Sequence, residues 1–358
     1  PWNYGMELFK EDFDRIENEL ALSFARYPDL NHVGVKNWVN GAFTFSPDGN
    51  PLVGPVRGLR NYWLACGVMA GFLQGGGVGK TLSEWMIHGE TEADAWSMDI
   101  ARYGKFTENR EYIKQTTGQF YSRRFVMSYP NEQLPAGRDL KRTPVWRDQK
   151  EDGAIFGNSW GLEVPLMFGP NNFKEVPSLR RSNAFEHVKA EHLNVRENVG
   201  MLDISGFSRF EVSGPGAREW LNHLFSTNIP EKNKSKLAVM LGHDGRLKGD
   251  LTCFNWDDET FWIMGSYYLR EWHMRWFHDH LPGGLRDIKT SGHVEVKDIS
   301  DNICGYSISG PNARKVLEKL TSRDVSNENF KFMSCQEIDI GLIRAKVGRL
   351  SVAGELGY

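Results

Sequence analysis

The stretch FLQGGGVGKT, residues 72–81, ends in the Gly-Lys-Thr that closes a phosphate-binding loop. Such a loop needs a glycine six residues before its lysine, because that glycine opens the turn that wraps backbone N–H groups around the phosphates. Counting back from Lys80 reaches Gln74, and Gly75, Gly76, Gly77 and Gly79 crowd too close to the lysine, so a triphosphate cradle is excluded. What survives is a Gly-rich turn that feeds a helix, TLSEWMIHGE, whose first N–H groups face an electron-rich ligand.

A second chemical candidate lies in GRLKGDLTCF, residues 245–254, which puts Asp250 and Thr252 on one face of a strand. A carboxylate there accepts a hydrogen bond from a ligand N–H or orients a nitrogen for proton transfer. Its ordinary alternative is an aspartate satisfying a turn, and on the residues alone that alternative is the commoner one. The segment HMRWFHDHL places His273, His278 and His280 close together, but not as the i, i+4 pair of a metal-binding helix, and no nearby thiolate or carboxylate set completes a site. With Trp272, Trp276 and Phe277 it reads as an amphipathic helix with a large aromatic contact and no metal. Cys66, Cys253, Cys304 and Cys335 are far apart and form no C-x-x-C pair, which fits a reducing compartment.

These groups need elements to position them, and 358 residues are enough for two or three domains with their own cores. The net charge of −3, with 43 Lys and Arg against 46 Asp and Glu spread along the chain, argues against a nucleic-acid surface or a membrane patch. The longest apolar run, YWLACGVMAGFL, has 12 residues against the roughly 20 of a membrane span, so it reads as a buried strand and turn. The sequence starts PWNYGMELF and stops at GELGY, which reads as a fragment of a longer chain.

In EDFDRIENELALSFARYPDL, Phe13, Ile16, Leu20 and Phe24 have helical spacing and Pro28 closes the run. VKNWVNGAFTFSPDGNPLVGPV alternates around a Pro-Asp-Gly-Asn turn and predicts a hairpin; RNYWLACGVM predicts a buried strand. Residues 96–156 are polar and irregular, with ENREYIKQTTGQFY as their one expected helix, and strand and helix patterns return from 157. FEVSGPGAREWLNHLFSTNIP and YSISGPNARKVLEKLTSRDVS begin 96 residues apart and share strand, Ser-Gly-Pro turn and amphipathic helix, a duplicated scaffold unit.

Read in order, SPDGNPLVGP, RNYWLACG, GGGVGKTLSEWMIHGE and ARYGKF resemble the C-terminal end of the flavin domain of dimethylglycine and sarcosine dehydrogenases. MLDISGFSRFEVSGPGA, GRLKGDLTCF, SISGPNA and AGELGY resemble the folate-binding domain that follows it, related to the aminomethyltransferase of the glycine cleavage system. The resemblance implies a multidomain α+β and α/β chain. Residues 1–95 would be the C-terminal part of a glucosamine-oxidase-like flavin domain of the D-amino-acid oxidase type. Residues 96–156 would form a connector, and 157–358 the first part of an aminomethyltransferase-like folate-binding domain.

It also implies oxidation of an N-methylglycine with FAD and transfer of the one-carbon unit to tetrahydrofolate, giving 5,10-methylene-tetrahydrofolate. Electrons would pass to an electron-transfer flavoprotein or oxygen, in a mitochondrial matrix or a bacterial cytoplasm. By the same resemblance Ser46, Pro47 and Asp48 begin a turn beside the flavin. Gly76, Gly77, Val78, Gly79 and Lys80 open the helix aimed at its pyrimidine end, with Gly77, Val78 and Gly79 facing the ring through backbone N–H groups. Asp250, with Thr252 and Glu355, would hold the folate, Asp250 in a catalytic role. No G-x-G-x-x-G follows a strand, so the ADP-binding half of a flavin domain is not in this stretch. Two other classes compete: a non-catalytic regulator resembling the regulatory subunit of pyruvate dehydrogenase phosphatase, and a folate-dependent aminomethyltransferase.

Overall fold

The spacing of Phe13, Ile16, Leu20 and Phe24 gives the expected helix α1 (Glu17–Arg26), preceded by a single 3-10 turn and stopped ahead of Pro28. The structure, a computed structural model, describes residues 7–358. None of α1 is buried; Phe13 meets only the edge of Trp38, with ring centroids 4.3 Å apart.

The hairpin expected around Pro-Asp-Gly-Asn does not form. Residues 35–45 carry no strand, and turn 46–50 leads instead into β1 (Leu52–Pro55), which pairs antiparallel with β2 (Trp63–Cys66). The turn is held by its own side chains. Ser46 Oγ lies 2.6 Å from the Asn50 carbonyl, Asp48 accepts the Asn50 N–H at 3.1 Å, and Gly49 adopts φ +74°. A Cβ on Gly49 would sit 2.0 Å from the Phe120 ring, so both its backbone and its surroundings require glycine. The strand expected to be buried, β2, is half exposed, and Ala65 and Cys66 face out.

The glycine stretch is the larger correction. It is not a turn: helix α2 (Gly71–His88) starts six residues before Gly77 and runs through Gly75, Gly76, Gly77 and Gly79 to a left-handed Gly89. Leu, Gln, Lys, Glu, Trp and Met sustain the helix on both sides of glycines that each cost about 1 kcal/mol relative to alanine. A Cβ at any of the four would meet nothing within 4 Å, which leaves a bare backbone face beside exposed Phe72 and Leu73.

Helix α3 (Arg110–Arg123) forms where expected, with Asn109 accepting the Tyr112 N–H at 3.1 Å as N-cap. A short helix α4 (Trp146–Glu151) was not expected; Arg142 and Lys150 cover the ring of its buried Trp146. Strands β3 (Ala154–Ser159) and β4 (Leu162–Phe168) pair as a hairpin and lead through α5 (Phe185–Glu197) and β5 (Gly200–Asp203) into the main core.

There β6 (Phe207–Ser213), α6 (Ala217–Leu224), β7 (Lys234–Leu241), β8 (Leu247–Asn255), β9 (Thr260–Ser266), α7 (Arg270–Asp279) and β10 (Glu295–Asp298) build one layer of antiparallel sheet under helices. The strand order is β10-β6-β9-β8-β7. One face buries Phe210, Val212, Leu251, Cys253, Phe261 and Ile263 against Trp220 and Leu221 of α6 and Met274 and Phe277 of α7. Each such side chain contributes about 1.5–3 kcal/mol.

β11 (Tyr306–Ser309) pairs with β5 and leads into α8 (Ala313–Glu318); β12 (Cys335–Ile340) and β13 (Ile343–Gly348) close the chain as a hairpin. The duplicated unit has duplicated geometry. Gly214 and Gly310 take φ +109° and +123°, and each carbonyl accepts the N–H of the alanine that opens the next helix at 3.0 Å. The copies differ in setting: β6 lies inside the five-stranded sheet, β11 in a two-stranded one. Among the described residues no helix is long and apolar enough to cross a membrane.

Candidate functional site

Burial alternates along β8 from Gly249 onward, with Gly249, Leu251 and Cys253 in the core and Asp250 and Thr252 on the other face. Asp250 is not a turn residue. It sits inside the strand opposite Val239, and among the described residues its exposed carboxylate makes no hydrogen bond or ion pair. The turn before it is served by Asp244, which accepts the Arg246 N–H at 2.9 Å. Aspartate is depleted in strand interiors, so an unpartnered one has no structural account in its own surroundings.

Thr252 shares the face and stands opposite Met264 of β9. Met264 packs with Phe254, Trp262 and Leu350, and Leu350 donates its N–H to Gly357 across a loop that contains Glu355. The loop carrying Glu355 is thus tied to the cluster at the Phe254 end of β8. Glu355 is committed in part to that loop: it accepts the Ala353 N–H at 2.8 Å, the Val352 N–H at 3.2 Å and the Ser351 hydroxyl at 3.0 Å. Its own backbone N–H first, and then these bonds, hold its carboxyl below the usual carboxylate range. No hydrogen bond or ion pair joins Asp250 to Glu355.

Behind β8 lies His273, 1% exposed, with Nε2 3.3 Å from the Lys248 carbonyl and Nδ1 buried without a partner. Burial pushes its pKa down to about 4, opposed in part by the Asp250 charge. His273 is a neutral core group touching Phe210 and Phe277, and Trp272 and Trp276 stack beside it, which is the aromatic contact read from the sequence.

On the other side of the chain, Asp48 is not free to meet a ligand. Arg102 Nε donates to its Oδ2 at 2.7 Å and Nη2 to its Oδ1 at 3.0 Å. Burial resists ionisation of Asp48, but the Arg102 pair outweighs it and holds the carboxyl below its ordinary value. Ser46 is buried and bonded within the turn, and Pro47 is half-buried.

The N–H groups of Gly76, Gly77, Val78, Gly79 and Lys80 do not open a helix. They lie in its second and third turns, where they bond along the helix, and cannot face a ring end-on. What α2 does offer is the bare face left by the glycines. Lys80 is exposed and already paired, 3.4 Å from Glu84 and 3.3 Å from Glu92, which raises its pKa.

Three charged side chains that tie distant segments together escaped the sequence reading. Arg102 sits in ARYGKF but its partner is 54 residues away, and Asp99 pairs with Arg275, 176 residues away. Arg275 Nη1 and Nη2 donate to Asp99 Oδ1 and Oδ2 at 2.8 and 2.6 Å, with both side chains under a tenth exposed. No local spacing signals such pairs. They lie at a seam where a cleft of about 480 Å³ opens between residues 85–99 and α7, lined by Trp85, Asp99, Lys248, Trp272, Arg275 and Asp279. Neither Asp250 nor Glu355 lines it.

A polar connector running into a helix-covered antiparallel sheet defines a two-module chain whose larger part is aminomethyltransferase-like. Residues 88–143 match the FAD dependent oxidoreductase central domain and residues 145–358 the GCVT N-terminal domain. The chain belongs to the GCVT N-terminal domain family, in the fused form found in dimethylglycine and sarcosine dehydrogenases. It is 35% identical to human mitochondrial dimethylglycine dehydrogenase over 360 residues, covering 100% of this chain and 41% of that protein. It is 27% identical to human mitochondrial sarcosine dehydrogenase, covering 99% and 43%. Mouse mitochondrial pyruvate dehydrogenase phosphatase regulatory subunit is 25% identical, covering 98% and 40%. The chain thus spans about two fifths of the length of these curated relatives.

Proposed function

We propose that the protein demethylates an N-methylglycine, dimethylglycine or sarcosine, oxidatively, and that Asp250 serves the capture of the one-carbon unit on tetrahydrofolate. The carrying observation is the Asp250 carboxylate, unpartnered in a strand interior. FAD would supply the hydride acceptor and tetrahydrofolate the one-carbon acceptor.

The donor set fits a folate. Asp250 would accept a ring N–H as a carboxylate, Thr252 would add a hydroxyl on the same face, and Glu355 is held below the usual carboxylate range by its own loop. The fit to a flavin is narrower. Turn 46–50 spends its polar atoms on Arg102 and itself, so its part is shape, while the bare face of α2 lets a flat ring approach closely. The finer assignments follow from this reading: electrons leave to an electron-transfer flavoprotein or oxygen, in a mitochondrial matrix or a bacterial cytoplasm.

The test uses the full-length protein with dimethylglycine, sarcosine and tetrahydrofolate. Losing a charge-assisted hydrogen bond worth about 1.5–3 kcal/mol predicts that Asp250→Ala weakens tetrahydrofolate binding by about 10- to 150-fold and lowers the methylene-tetrahydrofolate yield, with flavin reduction unchanged. Unchanged folate affinity and yield would remove Asp250 from the site. A full-length protein without flavin absorbance or turnover would favour the regulatory reading, in line with the similarity to the phosphatase regulatory subunit.

A further inference from the structure

We propose that Asp99 and Arg275 are positioning residues that hold the flavin-side turn 46–50 and the Asp250 strand in one fixed register, so that the one-carbon unit released at one site is captured at the other. This rests on the function proposed above.

A chain of polar contacts runs from the turn to α7, and α7 itself carries it on to the strand. Asp48 of the turn binds Arg102 through two hydrogen bonds, and Arg102 Nη1 donates to the Asp99 carbonyl at 3.0 Å. The Asp99 carboxylate accepts the Ala101 N–H at 2.8 Å, which fixes the 3-10 turn Ile100–Arg102, and grips Arg275 of α7 in a bidentate pair. The Arg275 guanidinium also lies 5.0 Å from the Trp85 ring of α2 and reaches the Pro55 carbonyl of β1 at 3.5 Å. One side chain of the sheet module therefore touches β1, α2 and the 3-10 turn. Residues two apart on a helix point to different faces, and His273 on the far side of α7 meets the Lys248 carbonyl, two residues before Asp250.

Ion pairs, and not apolar packing, must set this register, because the seam leaves a cleft of about 480 Å³ beside the pair. An apolar contact slides at little cost, whereas a bidentate guanidinium–carboxylate fork has one geometry. Taking both charges out of water costs about as much as their attraction returns, so such a pair gives little net stability over an apolar replacement. Its retention at a seam is accounted for by orientation.

The test compares full-length wild type, Arg275→Lys and the double variant Asp99→Leu with Arg275→Met, using dimethylglycine and tetrahydrofolate. Three quantities are read: the rate of flavin reduction, tetrahydrofolate affinity, and the fraction of one-carbon product released as free formaldehyde. The proposal expects both variants to stay within about threefold of wild type in the first two and to release at least threefold more free formaldehyde. The lysine variant keeps the charge and loses the fork, so it carries the test if the double variant does not fold. An unchanged formaldehyde fraction in a variant with native flavin content and folate affinity overturns the proposal. A wild-type protein that turns over neither N-methylglycine removes the functional reading and this proposal with it, a result distinct from an unchanged fraction in an active enzyme.

Discussion

Asp250 and Asp48 show how one residue type is sorted by what its carboxylate touches. Both lie in motifs beside glycines, and both read in sequence as candidate ligand contacts. Asp48 is consumed by Arg102, while the Asp250 carboxylate makes no hydrogen bond or ion pair among the described residues. Gly49 makes the same point for backbone. Its positive φ and the Phe120 ring leave no room for a side chain, so Gly49→Ala is expected to destabilise the fold by at least about 2 kcal/mol in urea titration. Among the cysteines, burial pushes Cys253 and Cys335 up to about 12, whereas Cys66 and Cys304 are exposed. An alkylating reagent on the native protein should label Cys66 and Cys304 first, with the buried pair reacting only after unfolding, as peptide mass mapping would show.

Among the elements, α7 has the most to do, with a sheet-facing side in the core and an opposite side carrying Arg275. His273 makes it sensitive to acid. Its pKa is depressed to about 4 in the fold against about 6.5 unfolded, so the unfolded chain binds the proton first. The resulting stability is present above pH 6.5 and is lost as pH falls toward 4, by about 3 kcal/mol in all. The charges acting on the ring are those of Asp250, which eases protonation, and the Lys248 carbonyl dipole. Urea midpoints between pH 7 and 4 should fall steeply for wild type and more gently for His273→Leu. In α2, Gly77→Ala should strengthen the helix by about 1 kcal/mol, and, if the bare face receives the flavin as proposed, lower flavin content in the full-length protein.

Elements with local periodicity were legible: α1, α3, the aromatic α7 and both Gly-Pro strand-to-helix units form where their spacing puts them. Strand pairing was not. The alternation in residues 35–45 did not pair across the Pro-Asp-Gly-Asn turn: Asn40 and Gly41 bridge to Phe9 and Leu8 instead, and β1 took β2. The glycine run was misread as a turn because four glycines in five positions look like a break, while the helix formers around them carry the helix through. The pairs Asp48–Arg102 and Asp99–Arg275 were invisible because long-range charge pairing leaves no mark in local spacing.

At the scale of the whole molecule, two modules are joined by charge pairs across a loosely packed seam. Besides Asp99–Arg275, Arg57 lies 2.7 Å from Glu271 of α7, and Lys141 donates to the Tyr267 hydroxyl at 2.6 Å, which in turn meets Asp301. Under the proposed function, joining the two modules matters only if the product of the first reaches the second. The direct test is a single experiment on the full-length protein: dimethylglycine is added with tetrahydrofolate, while flavin absorbance and methylene-tetrahydrofolate are followed together. The account predicts a flavin spectrum that bleaches on substrate addition, with methylene-tetrahydrofolate formed in wild type and sharply reduced in Asp250→Ala. Absence of flavin bleaching with either N-methylglycine, or equal methylene-tetrahydrofolate yields from wild type and Asp250→Ala, would contradict it.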